Sequence, residues 1–300
     1  MENLDIEKTF AIAIENHKKN NLTVAIDFYN KILKVEPNYF TALNNLGVIF
    51  QNTNEYQKAI NCYEKVIEVN PNFCNAYFNL GVIFYTLKDH QKAKNYYEKA
   101  IEIDPNHSGA YNNLGIIFYI SGDIQKAKDC YEKAIEINSS YADAHNNLGI
   151  AFNKLGNASK AKDCYEKAIE INPSYADAHN NLGTIYKESG DTQKAKINFE
   201  KAIKIKPNYA EAHNNLGTLF SDLSDGPKAK ESYEKAIKVN PNYTLAYWNL
   251  HSLTSDIDDS LIILKKLHEI DNKHILAKIM ISVLEGYKGN LNMFNELLTS

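Results

Sequence analysis

The nine residues from Tyr141 to Gly149, YADAHNNLG, return unchanged from Tyr175 to Gly183, 34 positions later. His107 to Gly115 reads HSGAYNNLG and Tyr209 to Gly217 reads YAEAHNNLG, again one period away. A chain that rewrites itself at such a period builds one supersecondary unit repeatedly and buries its core by stacking the copies. Starting the unit at Phe40 gives 40–73, 74–107, 108–141, 142–175, 176–209 and 210–243. A weak unit precedes them at 6–39, and a degenerate one, three residues short, occupies 244–274. A further unit begins at Ile275, with Gly289 at its expected loop position and its second half cut short. The expected organisation is therefore 1–39 as a degenerate first repeat, 40–243 as regular repeats, 244–274 as a degenerate repeat and 275–300 as a capping or truncated repeat.

Two helical spacings lie inside each unit. Unit positions 4, 7, 8 and 11 form one helical face: Tyr77, Leu80, Gly81 and Phe84 in one copy, His179, Leu182, Gly183 and Tyr186 in another. Positions 20, 24 and 27, such as Ala127, Tyr131 and Ala134, form the buried face of a second helix. Glycine 8 and alanines 20 and 27 leave room for close helix approach, with aromatics 11 and 24 filling the space beside them. Asp123, Asn157, Asp191 and Asp225 stand at position 16, where a side-chain oxygen caps the second helix. Proline 32, as in Pro71 and Pro105, ends that helix. Each unit is a helical hairpin unable to bury its apolar face alone, and the fold class is all-α.

Leucine 7, glycine 8, alanine 20 and aromatics 11 and 24 recur through six consecutive units, with alanine 27 and proline 32 in five of them, and this pattern closely resembles the tetratricopeptide repeat. Departures are Ser139 for proline, Lys88 and Ser224 for the loop glycine, and His251 for glycine 8. The resemblance implies a right-handed superhelical solenoid of antiparallel helix pairs, with first helices lining a concave groove. At 100° per residue, positions 2, 6, 9 and 13 point away from the buried stripe into that groove. Position 6 is asparagine in the seven units from 40 to 274: Asn45, Asn79, Asn113, Asn147, Asn181, Asn215 and Asn249. An amide offers both donor and acceptor, matching the main chain of an extended peptide. The superhelical repeat region of O-linked N-acetylglucosamine transferases is similar: an asparagine at this unit position forms a ladder that holds extended substrates by their main chain. The resemblance implies the same role for these seven residues. Against it stands a structural role, bonding to a neighbouring helix end. Position 5 (Asn44, Asn112, Asn146, Asn180, Asn214) lies on the groove flank, and position 9 is apolar from Val48 to Ile150 but Thr184, Thr218 and Ser252 later.

Other chemistries are weak. Net charge is −4, which gives no reason to expect nucleic acid or an anionic membrane as partner, and no apolar run is long enough to span a bilayer. All cations are lysine, so fork-shaped recognition of carboxylate or phosphate is missing. The start, MENLDIEKTF, lacks the apolar run of a secretory signal, and free thiols are expected at Cys62, Cys74, Cys130 and Cys164 in a cytoplasmic protein. His145, His179 and His213 hold the packing position 4, a whole repeat apart, and read as packing residues and not metal ligands. No phosphate-binding loop, HExxH or nucleophile–base arrangement occurs, so neither a cofactor nor catalysis is expected. Asp129–Lys133 and Asp163–Lys167 are spaced for i,i+4 ion pairs. Asp143, Asp177 and Glu211 at position 2 would repel a carboxylate, so the expected partner is a protein or extended peptide that is neutral or basic. The alternatives are a passive assembly scaffold of unspecified oligomeric state and the recruiting arm of a transferase whose catalytic domain is absent from this chain.

Overall fold

The computed structural model describes residues 5–299, with side chains to residue 289. The described residues are helical apart from short turns. In order, the helices are α1 (Ile6–Lys18), α2 (Leu22–Val35), α3 (Phe40–Asn52), α4 (Tyr56–Val69), α5 (Cys74–Thr86), α6 (His90–Ile103), α7 (Ser108–Ile120), α8 (Ile124–Ile137) and α9 (Ala142–Lys154). There follow α10 (Ala158–Ile171), α11 (Ala176–Glu188), α12 (Thr192–Ile205), α13 (Ala210–Asp222), α14 (Gly226–Val239), α15 (Thr244–Ser252), α16 (Ile257–Ile270) and α17 (Ile275–Thr299). They divide into two compact units between Leu155 and Gly156. In each unit a second helix packs on the first helix of its own hairpin and on that of the next, as α4 does on α3 and α5, and α12 on α11 and α13.

The side chains at the hairpin turns explain the regularity. Asp89, Asp123, Asn157, Asp191 and Asp225 accept the backbone N–H three residues on at 3.1–3.2 Å, as the spacing predicts. The residue before each of these turns, at position 15, is in the left-handed region in the seven units from 6 to 243, whether it is Gly122, Gly156 and Gly190 or Asn20, Asn54, Lys88 and Ser224. The cap's own N–H reaches back to the position-11 carbonyl, as Asp89 to Phe84 and Asp225 to Phe220 at 2.9 and 2.8 Å. This six-to-one closure satisfies a helix-end carbonyl and needs the left-handed residue.

The buried stripe of the first helix is wider than the sequence spacing implies. Positions 3, 7 and 10 pack against the preceding second helix: Ala42, Leu46 and Ile49 on Ala25, Tyr29 and Ile32, then Ala76, Leu80 and Ile83 on Ile60, Tyr63 and Val66. A first helix between two second helices buries more than one face. The position-11 rings sit at the margin, where Lys58, Lys92, Lys126, Lys194 and Lys228 lie 4.9–5.5 Å from the ring centroids of Phe50, Phe84, Phe118, Tyr186 and Phe220. Glycine 8 has a sharper reason than helix approach. A Cβ on Gly47, Gly81, Gly115, Gly183 or Gly217 would come within 2.5–2.7 Å of the position-24 ring of Tyr63, Tyr97, Tyr131, Phe199 or Tyr233. The ring occupies the space that glycine vacates.

Two expectations fail. Lys133 and Lys167 turn to Glu136 and Glu170 at 2.9 Å, one turn toward the C-terminus, and not to Asp129 and Asp163. Asp129 is held instead by Lys128 at 3.1 Å. The loop expected at Gly289 is missing, because α17 runs unbroken from Ile275 to Thr299.

Candidate functional site

The first helices leave positions 2, 6, 9 and 13 partly open, as their spacing requires, and the position-6 asparagines are half-buried in all seven copies. The first unit carries Asn45, Asn79, Asn113 and Asn147, and the second carries Asn181, Asn215 and Asn249.

Position 5 is where the groove-flank reading is corrected. Asn112, Asn146, Asn180 and Asn214 are 1–4% exposed, whereas Asn44 stays partly open. A buried amide without a partner is costly, and for Asn112, Asn180 and Asn214 the next repeat provides one. Asn147 Nδ2 donates to Asn112 Oδ1 at 3.0 Å, Asn215 to Asn180 at 3.0 Å and Asn249 to Asn214 at 2.9 Å. The two asparagines of NNLG thus form an inter-repeat couple, the buried one accepting from the open one 35 residues on. Spacing within a single helix cannot show this, since the bond crosses a repeat. Asn113 differs: its amide donates to the Tyr97 hydroxyl at 3.4 Å and its oxygen accepts from Asn112 at 3.3 Å. Asn180 also donates to Glu211 at 3.1 Å, tying α11 to the position-2 acid of α13.

Each couple fixes a rotamer. A side-chain amide has two N–H groups and one oxygen. In Asn147, Asn215 and Asn249 the inter-repeat bond uses one N–H of a side chain that is itself half-buried. In the first unit the face beside the amide is apolar: Asn147 borders a hollow of about 170 Å³ with Ile116, Tyr119, Tyr131 and Ile150. Larger hollows, of about 350 and 260 Å³, open at hairpin ends near Tyr186 and Phe118 and contain none of these asparagines. The corresponding face of the second unit is polar, with Thr184, Thr218, Asp177, Glu211 and a Lys187–Asp222 pair at 3.3 Å.

The residues weighed as metal ligands have other work. His145, His179 and His213 place Nε2 at 3.0–3.2 Å from the backbone carbonyls of Ser139, Pro173 and Pro207, closing the turn between repeats. Tyr247 donates from its hydroxyl to Pro241 at 3.2 Å in the same place. Among the described residues no group of three or more His, Cys, Asp or Glu is placed to hold a metal ion, and no helix is long and apolar enough to cross a membrane. The four cysteines are free thiols. Burial pushes Cys62, Cys74 and Cys130 up to about 11.

Family models described as tetratricopeptide repeat match residues 40–73, 142–175 and 210–243, residues 74–140 and residues 164–197, and a TPR-repeat model matches 183–224. No curated protein sequence matches the chain. Among solved structures, the Cut9–Hcn1 hetero-tetramer of the APC/C is similar over 92% of this chain, with a TM-score of 0.69 and 17% identity. The chain spans 55% of the length of that relative. PilF of Pseudomonas aeruginosa is similar over 71% of this chain and 97% of its own, with a TM-score of 0.61 and 20% identity. YrrB, a TPR protein with an unusual peptide-binding site, is similar over 61% of this chain and 95% of its own, with a TM-score of 0.50 and 27% identity. The recurring glycine–aromatic contacts, the capped hairpins and these matches, which span nearly all of 40–243, make the chain a member of the tetratricopeptide repeat family.

Proposed function

We propose that this array is a non-enzymatic protein-interaction module that holds an extended segment of another polypeptide along the open faces of its first helices. The position-6 amides are the groups that bond its main chain: Asn45, Asn79, Asn113 and Asn147 in the first unit, Asn181, Asn215 and Asn249 in the second. The observation that carries the reading is the inter-repeat couple, which gives Asn147, Asn215 and Asn249 the same anchored attitude while using one N–H of each. An amide already held costs less ordering entropy when a ligand arrives. Each main-chain bond contributes about 0.5–1.5 kcal/mol, so several in register give about micromolar affinity with little sequence preference. YrrB, with its peptide-binding site, supports a peptide as the ligand class. The acids of the second unit, Asp177 and Glu211, favour a neutral or basic segment.

The same couples also support a second reading. The bonds from Asn147, Asn215 and Asn249 to their buried neighbours stabilise the stacking of repeats, and that alone would suit a passive scaffold. Fluorescence anisotropy with a labelled extended peptide library separates the two. The comparison is between the parent and a variant with Asn113, Asn147, Asn181 and Asn215 changed to Ala, both verified as folded by circular dichroism. The ladder predicts binding that grows with peptide length and is lost in the variant. A scaffold predicts lower thermal stability with no peptide binding by either protein.

A further inference from the structure

The hollow beside Asn147 is lined by apolar and aromatic side chains around that one amide. Its floor is Tyr131, whose buried ring also lies over Gly115. Its walls are Ile116 and Tyr119 of α7 and Ile150 of α9, all partly exposed where the fold could have placed polar side chains. The chain itself makes that alternative choice elsewhere. The same five unit positions in the second unit are Thr184, Lys187, Phe199, Asn215 and Thr218, and Lys187 there is paired with Asp222. One repeat before the hollow they are Val82, Tyr85, Tyr97, Asn113 and Ile116, again apolar around one asparagine. Partly exposed apolar side chains gathered round one oriented amide mark a binding surface more than a stacking seam.

Size and chemistry restrict the occupant. At about 170 Å³ the hollow is smaller than the roughly 300–1,000 Å³ of small-molecule sites. An apolar cavity of about 150 Å³ accommodates a benzene ring, so one aliphatic or phenyl side chain is the matching guest. No lysine, aspartate or glutamate lines it, so a charged guest would lose its hydration without gaining a partner. We infer that Ile116, Tyr119, Tyr131 and Ile150 form an apolar subsite that takes one uncharged, leucine-sized side chain of an extended peptide whose main chain bonds Asn147. This inference rests on the peptide-groove reading above and adds a sequence preference to it. The first unit then selects for an apolar residue at one register of the segment that the ladder holds by its backbone.

The test uses the full chain and two labelled peptides of serine, threonine and lysine that differ by one central residue, leucine or alanine. The parent is expected to bind the leucine peptide roughly tenfold more tightly, the lower end of what filling an apolar pocket gives. The variant I116T/Y119N/I150T borrows residues that the chain already carries at these unit positions, namely Thr184, Asn153 and Thr218, so the hairpins should fold. In it the two peptides should bind alike. The variant N147A should weaken both peptides by a similar factor and keep the leucine preference. Equal binding of the two peptides by the parent would overturn the subsite while leaving the ladder intact. A leucine preference that survives the triple variant would also overturn it. Loss of the leucine preference in the triple variant, with no effect of N147A, would support the subsite and reject the ladder. No binding of either peptide by the parent would reject both.

Discussion

Lys88 and Ser224 occupy a backbone conformation that the other repeats give to glycine or asparagine, with φ of 65° and 59°. An L-residue other than glycine costs about 1–2 kcal/mol there. The variants K88G and S224G should each raise stability by about 1 kcal/mol in thermal or urea unfolding, and no change would mean that the turn relaxes. Glycine 8 predicts the opposite sign. G115A would place a methyl group 2.6 Å from the Tyr131 ring, and overpacking of this kind costs about 1–3 kcal/mol. Both glycine positions were legible in the sequence as recurrences, but their causes were not. One is a requirement of φ, and the other is a ring contributed by a different helix. Lys88 and Ser224 read as departures from the pattern, yet the backbone keeps its conformation because the position-16 N–H still closes onto the position-11 carbonyl.

At the scale of the element, the helix ends were the most readable feature. The position-16 cap is a local bond, and D123A or D191A should cost about 1 kcal/mol by loss of a single N-cap. The inter-repeat couple was not readable. Two adjacent asparagines look equally polar in one helix, and only the next hairpin buries one of them and supplies its donor. N180A removes the acceptor of Asn215 and the link to Glu211, so it should cost about 1 kcal/mol and also weaken peptide binding in the second unit. Lost stability with unchanged affinity would assign the couple to stacking alone. The glycine reading failed in α17 because glycine inside a helix costs only about 1 kcal/mol, which does not force a turn at Gly289. Likewise, i,i+4 spacing allowed the Asp–Lys pairs but did not choose them over Glu136 and Glu170 one turn on.

Across the whole molecule, repetition multiplies small effects. Cys62, Cys74 and Cys130 are pushed up to about 11 by burial, and burial also raises the hydroxyls of Tyr63, Tyr97 and Tyr131. The unfolded chain releases its thiol protons near pH 8.5. Between that value and about 11 the folded state binds more protons than the unfolded state, so stability falls as pH rises. The contribution is fully present at neutral pH. Urea midpoints should be level near pH 7 and decline above roughly 8.5, and thiol alkylation should be slow until the chain unfolds. A midpoint unchanged at pH 10 would contradict the burial of these groups.

The central claim is that the open asparagines read peptide main chain. It is tested most directly by changing the main chain and nothing else. Binding of one extended peptide would be compared by anisotropy with binding of the same sequence N-methylated at alternate amides. The ladder predicts that removing those N–H donors weakens binding by roughly two- to tenfold per lost bond, with Asn→Ala changes adding little further loss at the same registers. Equal affinity for the two peptides would show that side chains carry the interaction, and the asparagine couples would then belong to the stacking of the repeats.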